Sequence, residues 1–120
     1  MIRYINCIRK RADISAGEFR EYWLSAEYGE LLERVAGFYQ AERHFRSLTL
    51  QVEMGERLIS ERGLAEPFDG TVEFYWTSAS RLASLYETED AKKLAEQLGK
   101  YQSEFIDLSR STAFFTELGD

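Results

Sequence analysis

The sequence predicts an α+β fold, in which a four-stranded antiparallel sheet carries helices on one face in the ferredoxin-like order. The first observation behind this prediction is the element pattern, which runs strand, helix, strand, short helix, strand, two helices and strand. The second is periodicity, because side chains alternate with period two in the strands and recur at near-helical spacing in the helices. The third is length: 120 residues suffice for one domain, spanning 1–120, with a buried core.

Local signals mark the first strand and the start of the first helix. Residues 1–9 alternate as a strand, and Asn6 falls on a face whose other members are mainly apolar. A capping box follows, because the Ser15 hydroxyl can accept from the Glu18 N–H while the Glu18 carboxylate accepts from the Ser15 N–H. We expect one helix to run from this box over residues 15–35.

The middle of the chain is predicted to hold the second strand and a short helix. Gly37 is expected to end the first helix, as a residue in the left-handed region would. Residues 38–48 then alternate as a strand that includes His44. Residues 51–62 read as a short helix between two strands, which would serve as a lid or an interface segment.

The third strand is predicted at residues 71–77, after the turn that follows Pro67. Alternation places Phe74 and Trp76 on one face of this strand and Tyr75 on the other. Both faces carry aromatic side chains, so the sequence leaves open which of them meets the helices.

The last third of the chain is predicted to contain two helices and the final strand. Ser78 or Ser80 is expected to cap a short helix, and Thr88 to start a longer one. The final strand is expected near residues 111–118. The longer helix carries an apolar stripe formed by Ala91, Leu94, Ala95 and Leu98.

The strands also predict a homodimer. They are apolar on both faces, and such strands require cover on both faces. The helices of one subunit cover one face only, so a second copy of the chain is expected to cover the other.

Charge and composition argue against several classes of binding partner and indicate the cellular location. The formal net charge is −6 and the pI is about 4.9, so binding to nucleic acid is not expected. No apolar run approaches the length of a membrane span, and no signal peptide is visible at the N-terminus. A single cysteine, Cys7, suits a reducing compartment. We therefore expect a cytoplasmic protein with no nucleic-acid or membrane partner.

The residues available for chemistry predict neither a metal nor a cofactor. The chain has one histidine and one cysteine, too few for a structural zinc site. It also lacks a glycine-rich loop that would hold the phosphates of a nucleotide cofactor.

Three motifs resemble those of the EthD family of dimeric α+β barrel proteins. The first, at residues 18–23, reads EFREYW. The second, at residues 67–73, reads PFDGTVE, and the third, at residues 105–114, reads FIDLSRSTAF. They occur in the family's order and span nearly the whole chain. The resemblance implies a dimeric α+β barrel.

The sequence departs from the family pattern at one position. Family members carry a histidine four residues after the tryptophan of the first motif, where this chain has Glu27. A second family histidine corresponds to His44. The resemblance thus implies that His44 is available as a base, and that either Glu27 replaces the missing histidine or the activity differs.

We predict His44, Tyr22, Glu27 and Asn6 as the residues that carry catalysis. His44 changes protonation state near neutral pH and could act as a general base, although a half-buried histidine bonded to a carbonyl is the competing interpretation. Glu27 could be a base in an apolar pocket, or simply a solvated helix carboxylate. Tyr22 or Asn6 would orient a substrate oxygen; a cross-strand hydrogen bond is the alternative for Asn6.

Aromatic side chains are predicted to line the ligand pocket. Flat apolar substrates require such desolvating walls, although aromatic residues at regular spacing also pack cores. The predicted ligand-binding residues are Trp23, Tyr28, Phe74, Tyr75 and Trp76.

Together these features predict a protein that binds a small hydrophobic or aromatic, polyketide-like molecule. The family resemblance implies cofactor-independent proton-transfer chemistry, as in cyclases, isomerases, decarboxylases and monooxygenases. The alternative is a non-catalytic accessory protein of a catabolic or biosynthetic oxygenase pathway, which the departure at Glu27 favours.

Overall fold

A four-stranded antiparallel sheet forms one layer of the protein in the computed structural model, which describes residues 1–119. Within it, β1 is central and pairs with β3 on one side and β4 on the other, in the order β2-β3-β1-β4. The predicted four-stranded antiparallel sheet is confirmed. Its strands are β1 (Ile2–Ile8), β2 (Arg43–Leu48), β3 (Gly70–Trp76) and β4 (Thr112–Glu117).

Helices pack on the face of the sheet that carries Val72, Phe74 and Trp76. The order of helices and strands along the chain follows the prediction, except that two helices rather than one lie between the first two strands. The short helix between β2 and β3 has no buried residue, and its predicted role as a lid or an interface segment stays a prediction. The helices are α1 (Ala16–Trp23), α2 (Ala26–Phe38), α3 (Glu53–Arg62), α4 (Leu82–Tyr86) and α5 (Glu89–Gln102).

The capping box at Ser15 is confirmed, but the single helix over residues 15–35 is wrong. Glu18 N–H donates to Ser15 Oγ at 3.0 Å, and Ser15 N–H donates to Glu18 Oε1 at 3.1 Å. The helix then breaks after Trp23, where Ser25 Oγ caps α2 by accepting from the backbone N–H of its third residue.

The break is stabilised from a distant strand. Arg46 on β2 donates through Nη1 to the carbonyl oxygens of Trp23 at 2.8 Å and Ser25 at 3.0 Å. Gly29 leaves room for this guanidinium, because a Cβ there would lie 3.0 Å from Arg46 Nη2. The Trp23 carbonyl stands at the end of α1, where backbone carbonyls lack helical partners, and Arg46 supplies one from 23 residues away in the sequence.

Three boundary predictions differ from the structure. Helix α2 passes through Gly37 to Phe38, and the left-handed residue is Gln40, with φ of 59°. The second strand therefore starts at Arg43 rather than at residue 38. Helix α4 begins after Arg81 without a side-chain cap, so the predicted cap at Ser78 or Ser80 is wrong.

The cap of α5 at Thr88 is confirmed. Thr88 Oγ1 accepts from the Ala91 N–H at 3.2 Å.

An aromatic cluster fills one end of the space between the helices and the sheet. Rings of α1, α2 and the segment after α5 meet there, with centroids 5.4 Å apart for Phe19 and Trp23 and 5.2 Å apart for Tyr28 and Phe105. All four are almost completely buried. We call Phe19, Trp23, Tyr28 and Phe105 the aromatic cluster.

The opposite face of the sheet, which we call the open face, carries no buried side chain within residues 1–119. Its apolar members Phe45 and Phe114 are 42% and 47% exposed. Polar members bond to one another, as when Arg3 Nη1 contacts Glu73 Oε1 at 3.4 Å. The open face consists of Arg3, Ile5, Cys7, Arg43, Phe45, Ser47, Thr71, Glu73, Tyr75, Thr112, Phe114 and Thr116.

We expect Gly70→Ala to lower the free energy of unfolding by about 1–3 kcal/mol, the usual cost of overpacking a core. A Cβ at Gly70 would lie 2.7 Å from Trp23 Cζ2 and 3.0 Å from the Ser47 carbonyl oxygen. Urea unfolding followed by circular dichroism, at one fixed protein concentration, measures the change.

The matched control is Gly37→Ala, in α2. Its Cβ would meet nothing within 4 Å, and alanine is the better helix former by up to about 1 kcal/mol. Equal effects of the two substitutions would contradict the close contact between Gly70 and Trp23.

Candidate functional site

A pocket of about 870 Å³ lies between the helix-covered face of the sheet and helices α2, α4 and α5. This volume falls in the range of pockets that enclose drug-sized molecules. Its walls are mainly apolar. The strands and adjoining loops contribute Ile2, Tyr4, Asn6, Tyr39, Val72, Phe74, Trp76, Ala79 and Phe115, and the helices contribute Leu32, Val35, Leu82, Ala83, Tyr86, Ala91, Leu94, Ala95, Leu98 and Gln102.

Small side chains create the room for this pocket. Alanines line it from the loop before α4, from α4 and from α5, where larger residues would reach the sheet. The predicted stripe of Ala91, Leu94, Ala95 and Leu98 lines the pocket in full. At the other end of the same layer the aromatic cluster is packed without such space.

One wall of the pocket is aromatic. Phe74 and Trp76 on β3 lie with ring centroids 6.2 Å apart, and Tyr4 and Phe115 with centroids 5.3 Å apart. Trp76 is held in place because its Nε1 donates to the Tyr39 carbonyl oxygen at 2.8 Å. This wall offers flat apolar surface to a flat ligand.

The third strand therefore turns Trp76, and not Tyr75, toward the pocket. Tyr75 lies on the open face, where its hydroxyl donates to Glu73 Oε2 at 3.1 Å. Its ring meets Phe45 of the neighbouring strand at 5.9 Å. The pocket described here thus excludes Tyr75, which the sequence predicted as a ligand-binding residue.

The pocket carries no formal charge at neutral pH. Its lining within residues 1–119 includes no Asp, Glu, Lys, Arg or His. Burial raises the pKa of Tyr4, and burial followed by the nearby Tyr86 raises the pKa of Tyr39. These phenols stay protonated, so the polar atoms of the lining are neutral hydroxyls and carboxamides.

Gln102 and Tyr28 form a buried polar pair at the edge of the pocket. Gln102 Nε2 donates to the Tyr28 hydroxyl at 3.2 Å. Burial raises the pKa of Tyr28 to about 12, although the bond from Gln102 and the charge of Arg46 act in the opposite direction. Gln102 lines the pocket, whereas Tyr28 lies behind it.

The structure separates the predicted catalytic residues. Asn6 lines the pocket. Tyr22 stacks on Phe105 instead, with ring centroids 5.1 Å apart, and Glu27 is exposed in the first turn of α2. The role predicted for each of them stays a prediction.

His44 occupies an intermediate position. It is exposed on β2, on the helix-covered side of the sheet, and its ring stacks on Phe74 with centroids 6.1 Å apart. Phe74 thus stands between His44 and the pocket, which His44 does not line.

The predicted ligand-binding residues also divide into two groups. Phe74 and Trp76 line the pocket. Trp23 and Tyr28 belong to the aromatic cluster, where Trp23 Nε1 is buried without a hydrogen-bond partner in the described part of the chain.

Sequence reasoning missed several lining residues. Gln102 lies four residues after Leu98, so the apolar stripe of α5 continued by one turn would have included it. Tyr4 shares the strand face of Asn6 and could have been found in the same way. No comparable spacing in the sequence marks Phe115, Tyr39 or Tyr86 as lining residues.

Two absences are observed in residues 1–119. No three His, Cys, Asp or Glu side chains lie close enough to hold a metal ion. Of the helices in this range, none is both long enough and apolar enough to cross a membrane.

Solved structures with the same fold come from several bacteria. An EthD family protein of Bacillus halodurans has a TM-score of 0.62 at 16% identity, covering 99% of both chains. A dimeric protein of unknown function from Bacteroides fragilis, described as having a ferredoxin-like fold, has a TM-score of 0.62 at 10% identity, covering 98% of this chain and 95% of its own.

A third structure, from Deinococcus radiodurans, is provisionally described as an antibiotic biosynthesis monooxygenase. It has a TM-score of 0.50 at 12% identity and covers 100% of this chain and 94% of its own. No family model and no curated protein matches the sequence. Structural similarity at these sequence identities establishes the fold alone. The chain therefore has the ferredoxin-like α+β fold of these proteins. The predicted resemblance to the EthD family is confirmed at the level of the fold.

Proposed function

We propose that this protein binds a small hydrophobic or aromatic molecule, polyketide-like in its fused rings, in the pocket between sheet and helices. The observation that carries this proposal is a pocket of about 870 Å³ with an aromatic wall and no charged lining residue within residues 1–119. Transfer of a flat apolar molecule from water to such walls is favourable by about 25 cal/mol per Å² of buried apolar surface. The binding needs no cofactor.

We further propose that the protein is an EthD-like homodimer in which two open faces meet to form a dimeric α+β barrel. Phe45 and Phe114 are large apolar side chains that a monomer would leave in water. Ile5 lies opposite Phe114 in the sheet, so both contribute to one apolar patch. The relative from Bacteroides fragilis with this fold is described as dimeric.

Catalysis is the second candidate function, and the position of His44 favours it. His44 lies next to the aromatic wall of the pocket, because its ring stacks on Phe74 with centroids 6.1 Å apart. Asn6 would orient the oxygen of the substrate while His44 removed a proton. Such a step begins cofactor-independent cyclisation, isomerisation, decarboxylation or oxygenation, and the Deinococcus radiodurans structure supports this class by its description.

The first test fills the pocket. Leu98→Trp adds bulk to a lining residue, and we expect it to weaken binding of the neutral dye N-phenyl-1-naphthylamine at least tenfold in a fluorescence titration. Leu24→Trp makes the same change at an exposed position outside the lining and should leave the dissociation constant within about twofold. Equal binding by both variants would exclude this pocket as the site.

The second test concerns the homodimer. Phe114→Glu places a carboxylate in the apolar patch of the open face, on β4, and we expect it to convert a dimer to monomer in sedimentation velocity at micromolar concentration. Leu24→Glu, on the exposed end of α1, should sediment like the wild type. A wild-type particle of 14.0 kDa would reject the homodimer outright.

The third test separates catalysis from binding. Exchange of the acidic carbon-bound hydrogens of anthrone in deuterium oxide, followed by proton NMR, reports proton transfer directly. If His44 is the base, His44→Ala should slow the exchange by a factor on the order of 10²–10⁴ and leave affinity unchanged, whereas Glu27→Gln should have no effect. Exchange that neither substitution slows would leave binding as the function.

A further inference from the structure

We propose that the end of the pocket formed by Asn6 and Gln102 is a recognition site for one uncharged ligand oxygen, a ketone carbonyl or a phenolic hydroxyl. This inference rests on the proposed binding function and adds the ligand class. It predicts that the protein selects oxygenated neutral aromatics over pure hydrocarbons and over carboxylates.

The topology brings the two carboxamides to the same end of the pocket. Asn6 lies in the second half of β1, opposite Val72, whereas Ile2 at the start of β1 lies opposite Trp76. Helix α5 ends at Gln102, and the chain after it runs to the end of β1, where the Phe105 carbonyl oxygen accepts from the Arg11 N–H at 3.0 Å. Residues 6 and 102 therefore share the end of the pocket farthest from Trp76.

Gln102 has hydrogen-bonding capacity that the protein does not use. Its side chain is 7% exposed, and one N–H is committed to the Tyr28 hydroxyl at 3.2 Å. A carboxamide offers two donors and a carbonyl acceptor, so a second N–H and the oxygen are left without a partner among residues 1–119. These atoms are not fully buried, so a ligand oxygen in the pocket can reach them.

Asn6 adds a second carboxamide with free capacity. It lines the pocket from the sheet side, and its side chain forms no hydrogen bond with the other residues that the structure describes. The cross-strand hydrogen bond considered as the alternative for Asn6 is therefore not formed in this part of the chain. Two carboxamides on facing elements can donate to one oxygen and accept from a hydroxyl hydrogen.

The electrostatics of this end favour a neutral oxygen. Arg46 is the charged residue whose field lowers the pKa of Tyr28, but it does not line the pocket. Its Nη1 donates to the carbonyl oxygens of Trp23 and Ser25 instead. The C-terminal end of α5, at Gln102, contributes partial negative charge. A carboxylate would lose its hydration there without gaining a counter-charge.

Three matched naphthalenes test the inference by competition with N-phenyl-1-naphthylamine. We expect 2-acetonaphthone to bind about tenfold more tightly than 2-ethylnaphthalene, which lacks the oxygen, and than 2-naphthoate, which is ionised. Asn6→Leu and Gln102→Leu should each reduce the preference for the ketone over the hydrocarbon to about threefold or less. The control Gln97→Leu removes an exposed carboxamide from α5, the helix that ends at Gln102, and should preserve the preference for the ketone.

The outcomes distinguish the two proposals. If the dye itself does not bind, both the binding function and the oxygen site are rejected. If the dye binds but 2-acetonaphthone does not displace it, the oxygen site is rejected and the binding function stands. If the ketone and the hydrocarbon bind wild type equally, or if both leucine variants keep the full preference, the oxygen site is rejected and the binding function stands. Because two variants on different elements are used, misfolding of one does not decide the result.

Discussion

The packing of the aromatic cluster is the constraint on which the rest of the structure depends. Trp23 sits so close to β3 that only a glycine fits opposite it, since a Cβ at Gly70 would lie 2.7 Å from its ring. Tyr28 and Phe105 fill the adjoining space with ring centroids 5.2 Å apart. Protein interiors are close-packed, so these rings hold α1 and α2 at a fixed height above the sheet. Where the chain has alanines instead of aromatic rings, the same separation between helices and sheet leaves a pocket.

The neutrality of the pocket bears on both roles proposed for it. General acid-base chemistry needs a group that changes protonation near the working pH, and the lining within residues 1–119 holds phenols and carboxamides instead. Those groups bind and orient oxygen without exchanging protons at neutral pH. His44, the predicted base, stacks on Phe74 of the aromatic wall and lies outside the lining.

Features set by neighbours in the sequence were predictable, and features set by distant contacts were not. The Ser15 capping box and the α5 stripe depend on spacings of three and four residues, and both are confirmed. The break between α1 and α2 depends on Arg46, which lies on β2. The residues around Trp23 therefore carry no local sequence signal for this contact. The orientation of β3 was left open for a related reason: both of its faces carry aromatic side chains, and the packing of the helices selects Trp76 over Tyr75. The same packing of the helices places Asn6, Phe74 and Trp76 in the lining of the pocket. Tyr22 and Glu27 lie outside that lining.

The space between sheet and helices is the proposed binding site for an uncharged aromatic molecule. The most direct test is a titration of the ¹⁵N-labelled protein with 2-acetonaphthone, followed by backbone amide chemical shifts. We expect the changes in chemical shift to concentrate at residues that surround the pocket on the sheet and on α5, namely Tyr4, Asn6, Phe74, Leu94 and Gln102. Shifts confined to the open face around Phe45 and Phe114, or to α3, would contradict it.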